Sequence, residues 1–339
     1  MTSQRPLYDI GPFWSSDQNT DTQLNAYVSN KHFQIDLSAA NFEDSPTILD
    51  QYLRHIKHLD PFYIPDDPDD LDAFEDPLEI LYDWALEPFS TIFMTIAPLE
   101  TDKKYSLRDC LFAEILHYTL VVVDGNLVPD QLETDHNARP VGAPFQLINQ
   151  ARYLDFPIYR PDEVQVSISD DLTALPAIPR KMFVKGQACF FKLVFPGDVN
   201  STLREVNAYT KIQFAKFDDT VRTPRLHGMV QDEVTGRIVG LLQSYINCDR
   251  TLLCAAEHPM YSSLRQQWLD QISHTLASLH AHGIIWGDGK PDNVLIDTNN
   301  DAYLVDFGGG YTRGWVDKEC ANTTEGDLQA LGRITDYLK

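Results

Sequence analysis

Apolar positions along this chain fall into short runs, and their spacing changes character near residue 160. Before that point, Ile48, Tyr52, Leu53, Ile56 and Leu59 recur at helical spacing behind Ser45-Pro46. Serine is placed there to cap and proline to open a first turn, so a helix is predicted. LEILYDWALEPFSTIFMTIAP (78–98) predicts a second amphipathic helix. ILHYTLVVVDGNLVPDQL (115–132) reads as two strands around Asp124-Gly125-Asn126. Residues 1–44 are polar with scattered aromatics and predict no firm element. The acidic PDDPDDLDAFEDP (65–77) reads as a solvated linker or helix entrance, since it lacks the ligand spacing and turn glycine of a calcium loop. TDHNARPVGAP (134–144) reads as a loop.

Beyond residue 160, VQVSIS (164–169), RKMFVKG (180–186) and QACFFKLV (187–194) are strand-like, the last two joined at Lys185-Gly186. A helix is predicted over 201–214, with Ser201 or Thr202 as its cap. GRIVGLLQSYI (236–246) predicts a strand, and 263–283 a long helix whose stripe of Leu264, Trp268, Ile272, Leu276 and Leu279 belongs in a core.

With 339 residues there is room for two domains, and 43% hydrophobic content supports a substantial core. Fifty acidic residues against 27 Lys and Arg give a net charge of −23. Such a surface repels nucleic acids and anionic membranes, so neither is an expected partner. ATP stays admissible because a divalent cation screens its phosphates. Five cysteines without a C-x-x-C pair read as free thiols of a reducing compartment. The first residues lack a signal-peptide pattern and no run has membrane length, which predicts a cytoplasmic, intracellular protein.

Lys192 lies among apolar neighbours in FFKLV, where a charge is costly unless paired. Glu205, the only acid of the next predicted helix, is its natural partner; alone, Lys192 reads equally well as a surface lysine with a buried stem. Downstream come HAHGIIWGDGKPDNVLID (280–297) and LVDFGG (304–309). Together these resemble the catalytic core of the eukaryotic protein-kinase superfamily, and segments such as WGDGKPDNVLID and GGGYTRGWVDKE resemble an uncharacterised fungal group of kinase-like proteins. The resemblance implies Asp288 as the residue orienting the acceptor and Lys290 as charge balance. Asn293 and Asp306 become the magnesium ligands, and Lys192 held by Glu205 the phosphate contact. It also implies that the backbone of Ser244 and Ile246 meets the adenine edge. Asp306 follows Asp288 by 18 residues, in keeping with the family. His280 is implied as a packing residue and Asp327 as a support of the catalytic loop.

The chain departs from the family pattern in four places. DDLTALPAIPR (170–180) has no glycine where the family has a phosphate-wrapping loop. Trp286 and Gly287 replace the His and Arg before Asp288, and Glu319 follows Asp306 by only 13 positions. The helix expected over 326–339 is the last of the chain, which predicts a shortened helical lobe. The expected architecture is α+β: a bilobal kinase-like fold with a truncated C-terminal lobe and an N-terminal α/β extension. Its expected parts are an extension over 1–154, an upper lobe over 155–246 and a lower lobe over 247–339. Three functions follow. The first is an ATP- and Mg2+-dependent phosphotransferase for a small-molecule or atypical acceptor; the others are a protein Ser/Thr kinase and a nucleotide-binding pseudokinase scaffold.

Overall fold

A computed structural model describes residues 8–60, 76–100, 102–133, 141–148, 156–167 and 173–339. The acidic connector 65–77 lies, but for its last two residues, outside them. The chain divides into two compact units, Met1–Arg139 with Ile168–Pro179, and Pro140–Ser167 with Arg180–Lys339. These divisions differ from the continuous ones expected at 154/155 and 246/247. The segment after Ser167 groups with the first unit, where Ala174 bridges to Ser29 and the Leu175 N–H bonds the Ser29 carbonyl at 2.7 Å.

In the first unit the strands are β1 (Asp9–Ile10), β2 (Trp14–Ser15), β3 (Thr22–Val28) and β4 (Lys31–Leu37). Helices α1 (Pro46–His58), α2 (Pro77–Leu86), α3 (Ser90–Phe93) and α4 (Leu107–Leu111) precede β5 (Glu114–Val123) and β6 (Asn126–Gln131). Among the described residues the sheet runs β1-β3-β4-β5-β6, with β2 also on β3; β4 and β5 are parallel and the rest antiparallel. Residues 8–44 thus hold four strands where no firm element was expected. Their alternation was present: Phe33, Ile35 and Leu37 are buried while His32, Gln34 and Asp36 are half-buried. Helix 78–98 is corrected to α2 followed by a single turn at Glu87–Phe89 and the short α3. Pro88 lacks the N–H that would continue the ladder. Leu24, Phe33, Phe42, Tyr52, Leu81 and Phe89 fill this unit's core. His55 rests against Trp84 with ring centroids 5.3 Å apart.

The second unit begins with β7 (Ala143–Pro144), α5 (Phe145–Ile148), β8 (Ile158–Tyr159), β9 (Gln165–Val166), β10 (Lys181–Val184) and β11 (Gln187–Leu193). Next come α6 (Val199–Ala215), β12 (Leu226–Gln231), β13 (Arg237–Ser244), β14 (Cys248–Thr251), α7 (Leu252–Glu257) and α8 (Arg265–Ala281). The hairpin β15 (Val294–Asp297) and β16 (Ala302–Leu304) and the helix α9 (Thr324–Tyr337) complete it. One sheet runs β8-β12-β13-β11-β10-β9 with β7 on β13, and a second runs β14-β15-β16. β7 and β8 were missed because each contributes only two residues, too few for a period to show. Lys185 and Gly186, at φ 50° and 81°, form the expected two-residue turn.

Gly240 shows why β11 lies close against β13. A Cβ there would come within 2.1 Å of the Phe191 ring, and the close register it permits sets Lys192 opposite Leu241. α6 begins two residues earlier than expected, with Asp198 rather than Ser201 or Thr202 at its N-cap. The α8 stripe of Trp268, Ile272, Leu276 and Leu279 is buried in the core shared with Trp286, Val294, Leu304 and Phe307. This is a mixed α+β kinase-like architecture. No helix among the described residues is long and apolar enough to cross a membrane.

Candidate active site

Lys192 enters the site from β11 and Glu205 from the inward face of α6, where Glu205 is only 2% exposed. The Lys192 ammonium donates to Glu205 Oε2 at 2.7 Å and to Asp306 Oδ1 at 2.8 Å. Gln243, from β13, donates its amide to Glu205 Oε1 at 2.9 Å, so both carboxylate oxygens are held. The cluster has two carboxylates for one ammonium, and its titration follows from that imbalance. Burial acts against the Lys192 charge, but Glu205 and Asp306 outweigh it and raise its pKa. Burial dominates at Glu205 and pushes its carboxyl above the ordinary range, against the pull of Lys192. Asp306 is also penalised by burial, yet Lys192 and the Gly308 N–H hold it below the ordinary value.

Asp306 adopts a left-handed backbone at φ 64°, a conformation unusual outside glycine that aspartate tolerates better than most. The turn is pinned from α6: Ser201 Oγ donates to the Gly308 carbonyl at 3.1 Å and Arg204 Nε to the same oxygen at 2.7 Å. Phe307 is buried and meets the Tyr209 ring edge-on at 5.6 Å.

Asp288 and Lys290 form a second cluster. Lys290 Nζ donates to Asp288 Oδ2 and to Thr312 Oγ1, each at 2.9 Å, and the Thr312 hydroxyl donates to Asp288 Oδ1 at 3.0 Å. Asn293 donates its amide to the Asp288 carbonyl at 2.9 Å. The Val305 N–H bonds the Asn293 carbonyl at 3.0 Å, which ties the Asp288 loop to the strand end carrying Asp306. Beneath the loop, buried Asp327 of α9 accepts from the N–H groups of Trp286 and Gly287 and from His280 Nε2, all at 2.8 Å. Trp286 is fully buried and donates its indole N–H to the Val305 carbonyl at 2.8 Å.

The oxygens left over are of the kind magnesium takes. Asn293 spends its amide nitrogen and keeps Oδ1; Asp306 spends Oδ1 on Lys192 and Gly308 and keeps Oδ2. Among the described residues no group of three or more His, Cys, Asp and Glu is arranged to hold a metal alone. That is compatible with Mg2+, which takes one or two protein oxygens and completes its shell with phosphate and water.

Of the other residues implied by the sequence, Ser244 commits its N–H to the Arg225 carbonyl at 2.8 Å, so that N–H does not face a ligand. Ile246 follows β13 in the half-buried stretch leading to β14. Sequence reasoning missed Gln243 and Thr312. Gln243 carried a signal, a polar residue within the apolar run IVGLLQS. Thr312 carried none, because its contact with Asp288 depends on how the segment after Gly310 folds back.

Residues 200–327 match the family described as protein kinase domain. The chain is also similar to serine/threonine-protein kinase MRCK gamma of Homo sapiens, 37% identical over 100 residues that cover 28% of this chain and 6% of that one. Similarity extends to serine/threonine-protein kinase PKH1 of Saccharomyces cerevisiae, 30% over 126 residues, 34% of this chain and 14% of the relative. Aurora kinase of the same yeast is 33% identical over 82 residues, 24% of this chain and 22% of the relative. The chain therefore spans less than a quarter of the length of each of these relatives.

Proposed function

Because this chain carries a domain of the eukaryotic protein-kinase-like superfamily, we propose that it transfers a phosphoryl group from ATP, with Mg2+, to an aliphatic hydroxyl. The observation that carries this reading is the Asp288–Lys290–Thr312 triangle, in which an aliphatic hydroxyl already sits between carboxylate and ammonium at 3.0 and 2.9 Å. An acceptor alcohol needs the same two contacts, one to orient its O–H and one to balance charge on the moving group. Lys192, held by Glu205, whose other oxygen Gln243 fixes, presents a positive charge to the α- and β-phosphates. Asn293 Oδ1 and Asp306 Oδ2 would hold the metal. Bound there, Mg2+ would supply positive charge to offset the negative charge that develops on the transferred group.

The named relatives are serine/threonine-protein kinases, which supports a Ser or Thr side chain as the acceptor. The small-molecule acceptor suggested by the spacing of 13 positions from Asp306 to Glu319 draws no support from them.

The test has two steps. Thermal unfolding with ATP, with Mg2+ and with both should show a stabilising shift that needs both and disappears in Asp306→Asn. Label from ATP should then pass to a Ser/Thr peptide library, and Asp288→Asn should slow transfer by about 10²–10⁴-fold while keeping the thermal shift. Transfer at equal rates in Asp288→Asn, or a shift indifferent to Asp306→Asn, would remove these residues from the roles given them.

A further inference from the structure

At the edge of the first unit's sheet lies a cavity of about 400 Å³ whose walls include Trp14, Asp21, Gln23 and Asp36. Strand register explains the grouping. Trp14 of β2 is opposite Gln23 of β3, and Gln23 is opposite Asp36 of β4. Residues directly opposite on neighbouring strands share a face, and Leu24 and Ile35, one position along, belong to the core. Trp14, Gln23 and Asp36 therefore form one row on the face turned away from the core.

Trp14 is 53% exposed, although a ring of that size is highly buried in most proteins. The lining holds two carboxylates and no lysine, arginine or histidine. Asp21 is exposed, and the turn that carries it is fixed. Ser16 Oγ accepts the N–H groups of Gln18 and Asn19 at 3.2 and 3.3 Å, and Asn19 Oδ1 accepts that of Asp21 at 3.0 Å. Asn19 also donates its amide to Asp21 Oδ2 at 2.8 Å, which leaves Oδ1 without a partner among the described residues. Gln23 donates its amide to Asp36 Oδ1 at 2.8 Å, and His117 Nε2 lies 2.7 Å from Asp36 Oδ2. Among the described residues, neither acid is paired with a lysine or arginine.

The atoms left over are acceptors: Asp21 Oδ1, Gln23 Oε1 and the second lone pairs of the Asp36 oxygens. Such a set calls for a cation. A metal ion fits poorly, because among the described residues no group of three or more His, Cys, Asp and Glu is arranged to hold one, and an indole adds nothing to a shell of oxygens. The ring does suit an organic cation, which its face attracts. Two strand spacings, about 10 Å, separate the Trp14 and Asp36 backbones and leave room for one planar group above Gln23. A guanidinium is planar and weakly hydrated, and it carries five N–H donors without an acceptor, whereas an ammonium is a compact, strongly hydrated point charge.

We infer that this cavity binds an arginine side chain, its guanidinium stacked on Trp14 and hydrogen-bonded to Asp21 and Asp36. The net charge of −23 draws basic ligands toward the chain, and the acid-only lining gives that attraction a defined end point. Trp14, Ser15 and Ser16 line the cavity and are all exposed, so an arginine within a peptide reaches it as readily as the free amino acid. The guanidinium is common to both sources. This site lies wholly in the first unit and does not rest on the phosphotransferase reading.

The experiment is calorimetric titration of the full chain, without nucleotide and at about 0.15 M salt to screen loose surface attraction. The probes are free L-arginine, N-acetyl-L-arginine amide, and the lysine and citrulline counterparts of the capped form; citrulline keeps the shape and loses the charge. Saturable binding of an arginine probe is expected, weakened about tenfold in Asp21→Asn and about tenfold in Trp14→Ala. Tighter binding of the capped probe identifies an arginine within a peptide, and equal or tighter binding of the free one the amino acid itself; either supports the site. Asp21→Asn keeps an acceptor for the Asn19 amide in an exposed turn, so it is expected to fold and keeps the test decisive if Trp14→Ala does not. No saturable binding of either arginine probe, equal binding of the lysine or citrulline counterpart, or binding unchanged in Asp21→Asn overturns the proposal. Asp306→Asn should keep arginine binding while losing the ATP–Mg2+ response. A wild-type chain that binds arginine yet ignores ATP–Mg2+ would retain the cavity's assignment and overturn the phosphotransferase reading alone.

Discussion

Replacing Lys192 with methionine removes the one ammonium that Glu205 and Asp306 share while filling nearly the same volume. Asp306 is 43% exposed in its side chain and is hydrated once the lysine is gone. Glu205, at 3%, is not. Its charge would be left with only the Gln243 amide, and breaking a buried pair in this way costs about 3–5 kcal/mol. Glu205 escapes part of that cost by taking a proton. Its pKa already lies above the ordinary value because burial dominates, and loss of Lys192 moves it further up. Between the unfolded and folded pKa values the native state then binds the proton that the unfolded chain has released. Stability therefore falls as pH rises through that window, by at most about 1.4 kcal/mol per pH unit. Lys192→Met should thus be only mildly destabilised near pH 5 and lose about 3 kcal/mol or more near pH 8. Urea unfolding of wild type and variant at both pH values, followed through the buried Trp268 and Trp286, measures the difference. An equal loss at both values would mean that Glu205 does not depend on Lys192 for its charge, and the argument from burial would fail.

Two further outcomes concern supports rather than chemistry. Asp327→Asn puts an amide N–H₂ where three donors converge, so at least one buried N–H loses its acceptor; a loss of about 2–4 kcal/mol in urea unfolding is expected. In the first unit, burial pushes His32 down to about pH 4, with its Nε2 on Asn25 Oδ1 at 2.7 Å and its ring stacked on Tyr27. The unfolded chain takes up that proton near pH 6.5, so the unit should lose up to about 3 kcal/mol as pH falls from 6.5 to 4. Faster amide exchange along β3 and β4 in that range, flattened in His32→Gln, is the readout.

How legible all this was in the sequence depended on the range over which each signal acts. The α8 stripe and the Lys185-Gly186 turn are local patterns, and local periodicity located them to within two residues. β7 and β8 hold only because β13 and β12 are beside them, and no run of two residues announces a partner. β3 and β4 were overlooked for another reason: Asn25, His32 and Asp36 dilute the apolar count although the alternation survives. At the site, Lys192 and Glu205 could be paired from sequence, since a buried charge demands a partner and Glu205 is the only acid of the next predicted helix. The second carboxylate on Lys192, 114 residues away, could not be found that way. Gln243 and Thr312 complete geometries that only the folded chain assembles.

Charge balance at the site also explains why a metal should be indispensable to the proposed reaction. Glu205, Asp288 and Asp306 bring three carboxylates against the two ammonium groups of Lys192 and Lys290, within a chain of net charge −23. Neither lysine is idle: each is hydrogen-bonded to a carboxylate at 2.7–2.9 Å. In the family pattern a glycine loop would add backbone N–H groups to the phosphates, but the connection 170–180 contains no glycine. More of the attraction must then come from cations, and the two present are already shared with acids. Nucleotide alone meets a site with an excess of negative charge, whereas a divalent ion held by Asn293 and Asp306 would reverse that sign. Dependence on Mg2+ should therefore appear in binding itself and not only in the rate of transfer. That is why the thermal measurement, rather than turnover, is the more sensitive test of this site.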